Sequence, residues 1–293
     1  GQRRKHLDFS PQRPFSQRHS LAVTPSPDLL VIGGGIVGTA IAERASREGL
    51  RVDLADPGPL GSGATAAGMG HIVVMDDSPA QIALTRFSQT RWDELRDTFP
   101  DNVETEHCGT IWVAADDEEM EEVLRKQAVY ADCGIESEAI DQAALLKYEP
   151  HLAPTLAGGL RVPGDSVVYP PTAAKFLWKQ TAARGGVWHR TKVESLEGNT
   201  ATFTNGERLS AGAIVNAAGQ YAVNLMPALP IQWKKGHLAI TDRYPGYVTH
   251  QLIELGYLKS AHTAGIDSVA FNAQPRRTGQ ILLGSSRQVK DPT

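Results

Sequence analysis

The chain has 293 residues, 41% of them hydrophobic and 21% charged, with a net charge of −4. That balance is ordinary for a globular protein with a substantial core, gives no basic footprint for nucleic acid, and includes no run near the roughly 18 apolar residues that cross a membrane. Cys108 and Cys133 are too few for a disulfide framework and sit in no metal-ligand spacing, so free thiols, a reducing compartment and no metal site are expected.

Residues Gly1 to Pro27 carry Arg3, Arg4, Lys5, Arg13 and Arg18 against a single acid, Asp8. With few large apolar side chains they cannot offset their ordering entropy, so a disordered basic extension is expected. It has no apolar core of a secretory signal.

The organising stretch follows. Leu29 to Ile32 form a short apolar run suited to a strand buried on both faces, and Gly33, Gly35 and Gly38 then complete G-x-G-x-x-G. Absent side chains there permit a tight turn, let a pyrophosphate approach the backbone, and let helix pack on strand. The helix from Ile36 through Val37 to about Glu48 would present its positive end to the phosphates and stop at Gly49. Arg51 to Ala55 make a second strand ending at Asp56, an acid placed to accept hydrogen bonds from an adenosine ribose and to disfavour a 2′-phosphate. Up to this point the dinucleotide could be NAD or FAD.

A second small-residue loop, Gly61 to Gly70, comes next, with hydroxyls on Ser62 and Thr65 among Ala64, Ala66, Gly68 and Met69. It suits backbone passing close along a cofactor longer than NAD needs. With it the sequence resembles the FAD-dependent D-amino-acid oxidase and dehydrogenase superfamily, in particular its glycine oxidase, D-amino-acid dehydrogenase and hydrogen-cyanide-synthase branch. The resemblance continues in order through Gly109 to Ala114, Gly158 to Leu160, Asn216 to Gly219, Lys235 to Leu238 and Gly279 to Arg287.

The remaining elements follow by pattern. Ser78 and Pro79 open a helix to about Thr98, with Leu84, Phe87, Trp92, Leu95 and Phe99 at helical spacing as its packing stripe. His107 to Ala114 reads as a strand, and Asp116 with Glu119 caps a helix that ends at Gly134. Asp141 caps a short helix stopped by Pro150, and a longer helix runs from Thr172 to about Ala183. Strands are expected at 158–162, 166–169, 188–196, 200–204 and 208–215, then at 231–234, 237–241, 249–255, 269–273 and 280–284.

The resemblance implies an α/β chain with a Rossmann-like FAD-binding domain, from residues 28–79 and 146–225, and a substrate domain with a mixed or antiparallel sheet, from 80–145 and 226–293. It implies FAD contacts at Gly33, Gly35, Ile36, Val37, Gly38, Asp56, Ser62, Ala64, Thr65, Ala66, Gly68, Met69 and Gly70. Val193 would contact adenine through its backbone, and Ala217 and Gly219 would pass beside pyrophosphate and flavin. The implied reaction oxidises the C–N bond of a D-amino acid, glycine, sarcosine or proline: the α C–H delivers hydride to flavin N5 and water hydrolyses the imine. His71 and Arg287 are the candidate active-site residues, the first lining the pocket or satisfied in its loop, the second binding a carboxylate or lying solvated. Lys235 and His237 carry the same two readings. An alternative is an incomplete or non-catalytic FAD-binding subunit needing a partner chain or electron acceptor. Relatives in the resembled family continue beyond the strand at Gln280 to Gly284, so Gly1 to Thr293 alone is expected to hold FAD loosely and turn over negligibly until a C-terminal extension or complementary chain is supplied. A cytoplasmic location is expected, peripheral to a membrane in the case of a dehydrogenase.

Overall fold

Leu29–Ile32 is strand β1, and all four residues are buried because both faces of its sheet are covered. The computed structural model describes residues 26–76, 78–256 and 268–288, so the basic extension at 1–25 lies outside the described residues. After β1 come α1 (Ile36–Arg47), β2 (Val52–Ala55), β3 (His71–Ile72), α2 (Pro79–Arg96), β4 (Thr110–Ala114), α3 (Asp117–Asp132), β5 (Glu138–Asp141) and α4 (Gln142–Tyr148). The chain continues through β6 (Gly158–Val162), β7 (Ser166–Val167), α5 (Pro170–Ala183), β8 (Val187–His189), β9 (Val193–Glu197), β10 (Thr200–Phe203), β11 (Arg208–Ser210) and β12 (Ala213–Asn216). It closes with α6 (Ala222–Leu225), β13 (Leu238–Ile240), β14 (Gln251–Glu254), β15 (Ser268–Pro275) and β16 (Ile281–Arg287).

Four parallel strands, in the order β12-β1-β2-β8, make the first sheet. Alternation sends Leu29 and Val31 to one face, where they meet Ala42 of α1 and Trp178 of α5. Leu30 and Ile32 face the other way, onto Val193, Ala201 and Phe203 of the antiparallel meander β9-β10-β11. The single strand expected at 188–196 is therefore two strands. β8 pairs with β2, whereas β9 starts the meander, and the break falls where the chain leaves one sheet for the other.

The second sheet has seven strands in the order β13-β16-β15-β14-β4-β6-β5, antiparallel except where β14 runs parallel to β4. Its strand β6 lies between 146 and 225, so the chain stays with this sheet through Val162 before it returns to the first sheet at β8. The register places Leu238, Gly284, Asn272, Ile253, Trp112, Leu160 and Ala139 on one continuous rung. That face packs on Val123 and Tyr130 of α3 at one end. The opposite face buries Ile111, Val113, Leu252 and Ala273 against Leu145 of α4.

Local signals set most helix ends. The Ser78 hydroxyl accepts from Gln81 N–H, Asp116 from Glu119 N–H, and Asp141 from Ala144 N–H. Glu119 reaches back to Ala115 N–H at 2.8 Å, one residue before the cap it was expected to serve. The stripe on α2 is corrected: Leu84 and Phe87 are 64% and 56% exposed, and Trp92 and Phe99 carry the packing, against Phe176 and its neighbours. Ile231 to Lys234, expected as a strand, joins no ladder, and Trp233 Nε1 instead donates to the Gln220 carbonyl at 2.9 Å. Cys108 and Cys133 are both free and half-buried. Among the described residues no cluster of metal-ligating side chains is present, and no helix is long and apolar enough to cross a membrane.

Candidate functional site

The three glycines of the first loop do different work. Gly33 adopts φ +111°, and a Cβ there would lie 2.4 Å from the Ala217 carbonyl oxygen. A Cβ on Gly38 would lie 1.9 Å from the Gly33 carbonyl oxygen. Packing of the turn alone forbids side chains at both. Gly35 has an ordinary φ of −73°, and a Cβ there would meet a single described atom within 4 Å, Thr65 Oγ1 at 3.0 Å. Its bareness is not demanded by the fold, so it leaves open space at the amide-rich end of α1.

The two small-residue loops are joined at that point. Gly35 offers α1 no side-chain cap, and Ile36 N–H donates instead to Thr65 Oγ1 at 3.0 Å. Val37, in the first turn, is 62% exposed beside the same opening. Asp56, at the end of β2, accepts from Gly34 N–H through Oδ2 and from Gly58 N–H through Oδ1, both at 2.7 Å. Each carboxylate oxygen keeps a second lone-pair direction for another donor. In the second loop Ser62 is half-buried, while Ala64 and Ala66 are exposed along the turn at Gly63–Thr65. Val193 is buried at the start of β9, Ala217 N–H donates to the Ile32 carbonyl at 2.8 Å, and Gly219 turns at φ +57°.

Gly70 ties this loop to the seven-stranded sheet. Its N–H donates to Gln274 Oε1 at 2.9 Å, and a Cβ would lie 1.6 Å from the Val168 carbonyl oxygen. Met69 reaches the same sheet at Gly284, whose missing side chain leaves room for Leu238 and for the Met69 methyl.

Between the loop and the sheet lies a cavity of ≈ 730 Å³. Gly63, Ala64, Gly68, Met69 and His71 form one wall, and Leu238, Asn272, Ile253 and Trp112, four members of the rung, form the facing one. Lys234, Lys235, His237, Ser285 and Ser286 add the polar side of the lining, to which the described residues contribute no carboxylate. His237 Nδ1 and the Ser286 hydroxyl are hydrogen-bonded at 2.9 Å. Burial pushes His71 down to about 4, so its imidazole is neutral at neutral pH. His71 Nε2 and Trp112 Nε1 are both shut off from solvent with no hydrogen-bond partner among the described residues. An unmade bond on a buried group costs about 1–3 kcal/mol, so an occupant that completes it is favoured.

The structure thus brings His71, Met69, Lys235 and His237 to one cavity. Arg287 ends β16, paired in register with Ser268, and its side chain lies outside the described part. Trp112, Asn272 and Lys234 were given no role in the sequence. Alternation in β4 puts Trp112 opposite Ile111 and Val113, but its neighbour Ile253 lies 141 residues away, and only the pairing of β4 with β14 brings the two together.

The family model described as FAD dependent oxidoreductase (DAO) matches residues 28–293. The chain belongs to this family. The protein is accordingly FAD dependent, and the open amide end at Gly35 with the spare acceptors of Asp56 fits such a cofactor. The chain is 27% identical over 210 residues to glycine oxidase of Geobacillus kaustophilus, in a match covering 68% of this chain and 56% of that protein. The chain therefore spans little more than half the length of that relative. Among solved structures, the L-proline dehydrogenase of P. horikoshii superposes with a TM-score of 0.78 at 21% identity, covering 92% of this chain and 73% of that one. The FAD-bound L-alpha-glycerophosphate oxidase of Mycoplasma pneumoniae superposes at 0.72 with 21% identity, covering 91% and 73%. Both likenesses are of fold.

Proposed function

We propose that the protein oxidises the C–N bond of a small amino acid, with the cavity between the second loop and the seven-stranded sheet as its substrate site. The observation that carries this reading is the lining: two lysines, two histidines and no carboxylate among the described residues, beside the loop at Gly61 to Gly70. Such a site favours a small anion. When bound, FAD supplies the two-electron acceptor.

The chain's own residues then have distinct tasks. Gly35 leaves open the space over the amide end of α1 for the pyrophosphate, and Asp56 offers its remaining lone pairs to the ribose hydroxyls. Ile36, Val37, Ser62, Ala64, Thr65, Ala66 and Gly68 keep the path along the cofactor narrow in side chain and rich in backbone. Val193, Ala217 and Gly219 border it from the far side. Lys235 and His237 hold the substrate anion. His71, neutral and with Nε2 unengaged, accepts a hydrogen bond from the substrate amine in the tautomer that keeps its proton on Nδ1.

A second reading has one observation in its favour, the adjacent cations Lys234 and Lys235, which suit a phosphate as well as a carboxylate. Under it the substrate is a small polyol phosphate. Anaerobic mixing of the flavin-loaded protein with glycine, sarcosine, proline, a set of D-amino acids and sn-glycerol 3-phosphate separates the two. Loss of the flavin absorbance bands with an amino acid supports the first reading. Loss only with glycerol phosphate replaces it with the second, and loss with neither, but with NADPH, removes both.

A further inference from the structure

We propose that Trp112 is a specificity-determining residue whose indole N–H binds an acceptor oxygen of the substrate, and that the buried ammonium of Lys126 positions it. This rests on the substrate site proposed above. Trp112 is fully buried in the central part of the rung, between Ile253 and Leu160, and it borders the cavity together with Ile253 and Asn272. Its Nε1 has no acceptor among the described residues, although every neighbouring strand has its backbone paired in a ladder. A β-sheet face that needed only apolar bulk at this position would take Phe or Leu without leaving a buried donor unmet.

The other side of the ring explains why the donor stays where it is. Lys126 projects from α3, and its ammonium sits 4.1 Å from the Trp112 ring centroid and 4.9 Å from that of Tyr130. It is fully buried and ion-paired with Asp76, which is itself 2% exposed. A charge held over the ring face fixes the ring plane, and by drawing on the π density it leaves the indole N–H a stronger donor. Tyr130 OH donates to the Val74 carbonyl at 2.7 Å, between Val73 and Met75, which also line the cavity. The cation, the ring and the wall segment therefore form one rigid unit behind the pocket. The occupant's complementary group is a carboxylate or other anionic oxygen, since the same cavity presents Lys235 and no acid among the described residues.

The test uses the flavin-loaded full chain with its tryptophans labelled on the indole nitrogen. There are five, at positions 92, 112, 178, 188 and 233, and so five indole resonances. The Trp112 signal is assigned by its absence in Trp112→Phe or, if that variant does not fold, by elimination with the four other Trp→Phe variants. Glycolate and acetate are titrated, with acetamide as the neutral control, while the flavin absorbance spectrum reports occupancy of the pocket. The expected result is that the carboxylates perturb the flavin and move the Trp112 N–H downfield, with the other four resonances in place. Trp112→Phe should then bind glycolate about tenfold more weakly at unchanged flavin content. A perturbed flavin with a stationary Trp112 resonance overturns this inference and leaves the substrate site standing. A flavin spectrum indifferent to every carboxylate overturns the substrate site and this inference with it.

Discussion

The Thr65 hydroxyl accepts the Ile36 amide at 3.0 Å, so the helix that follows the first glycine loop is capped by the second. The two loops are 29 residues apart in sequence, and this bond makes them one structure before any cofactor binds. Thr65→Val keeps the shape and removes the acceptor. It should cost about 0.5–2 kcal/mol of stability, as loss of an N-cap does, and should lower FAD affinity in the same protein. Urea unfolding of the cofactor-free chain and a fluorescence titration with FAD read the two effects separately. Unchanged stability would show that the bond is incidental.

Gly38→Ala acts on the fold rather than on binding. Its methyl would lie 1.9 Å from the Gly33 carbonyl oxygen, which is backbone and cannot swing aside. Overpacking of this kind should cost about 3 kcal/mol or more, seen as insoluble protein or a large fall in melting temperature. Normal solubility and melting would mean that the turn has more room than the geometry allows.

Two buried groups make opposite demands on pH. His71 is held near 4 by burial, so the unfolded chain binds a proton that the folded chain refuses between 6.5 and 4, and stability is lost as pH falls through that window. Asp165, also buried, is pushed up to about 7, with the Gln89 amide donating to its Oδ1 at 3.0 Å. Its contribution is full below 3.8 and is lost as pH rises through 7. Each slope reaches up to about 1.4 kcal/mol per pH unit, and they nearly cancel between pH 4 and 6.5. Asp165→Asn should therefore expose the His71 slope, so that stability climbs with pH across this window, and His71→Gln should expose the reverse. Thermal melts at half-unit intervals test both, and two variants with the same slope as the parent would refute the assignment of either group.

The first sheet was legible because its information is local. Leu29 to Ile32, the glycine spacing, and Asp56 at the end of β2 fall within one βαβ unit, where strand, turn and helix signals adjoin. Caps at Ser78, Asp116 and Asp141 were legible for the same reason. The cavity was not. Trp112, Ile253 and Asn272 meet only through strand pairing between distant segments, and a strand's own alternation does not name its neighbour. The α2 stripe failed differently. Periodicity marks a side of the helix, but Leu84 and Phe87 lie on the flank of that side and face solvent.

Asp56→Ala separates the two tasks of its carboxylate. Removal orphans Gly34 N–H and Gly58 N–H and takes away the acceptor proposed for the ribose, so both stability and FAD affinity should fall, each by about 1–3 kcal/mol. Asp56→Asn retains one acceptor and should recover part of each. An affinity loss with no change in stability would mean that the backbone contacts contribute nothing.

The most direct measurement is an equilibrium titration of FAD into Gly35→Val beside the parent chain, with circular dichroism and melting recorded on both. At φ −73° a Cβ strains no backbone, and its one described contact is the Thr65 hydroxyl at 3.0 Å, so the variant should fold and lose no more stability than Thr65→Val, which lacks the same cap. It should nevertheless fail to bind FAD at concentrations that saturate the parent, because its side chain fills the space over the α1 amides. Full FAD binding by a folded Gly35→Val chain would contradict the placement of the cofactor on which the account rests.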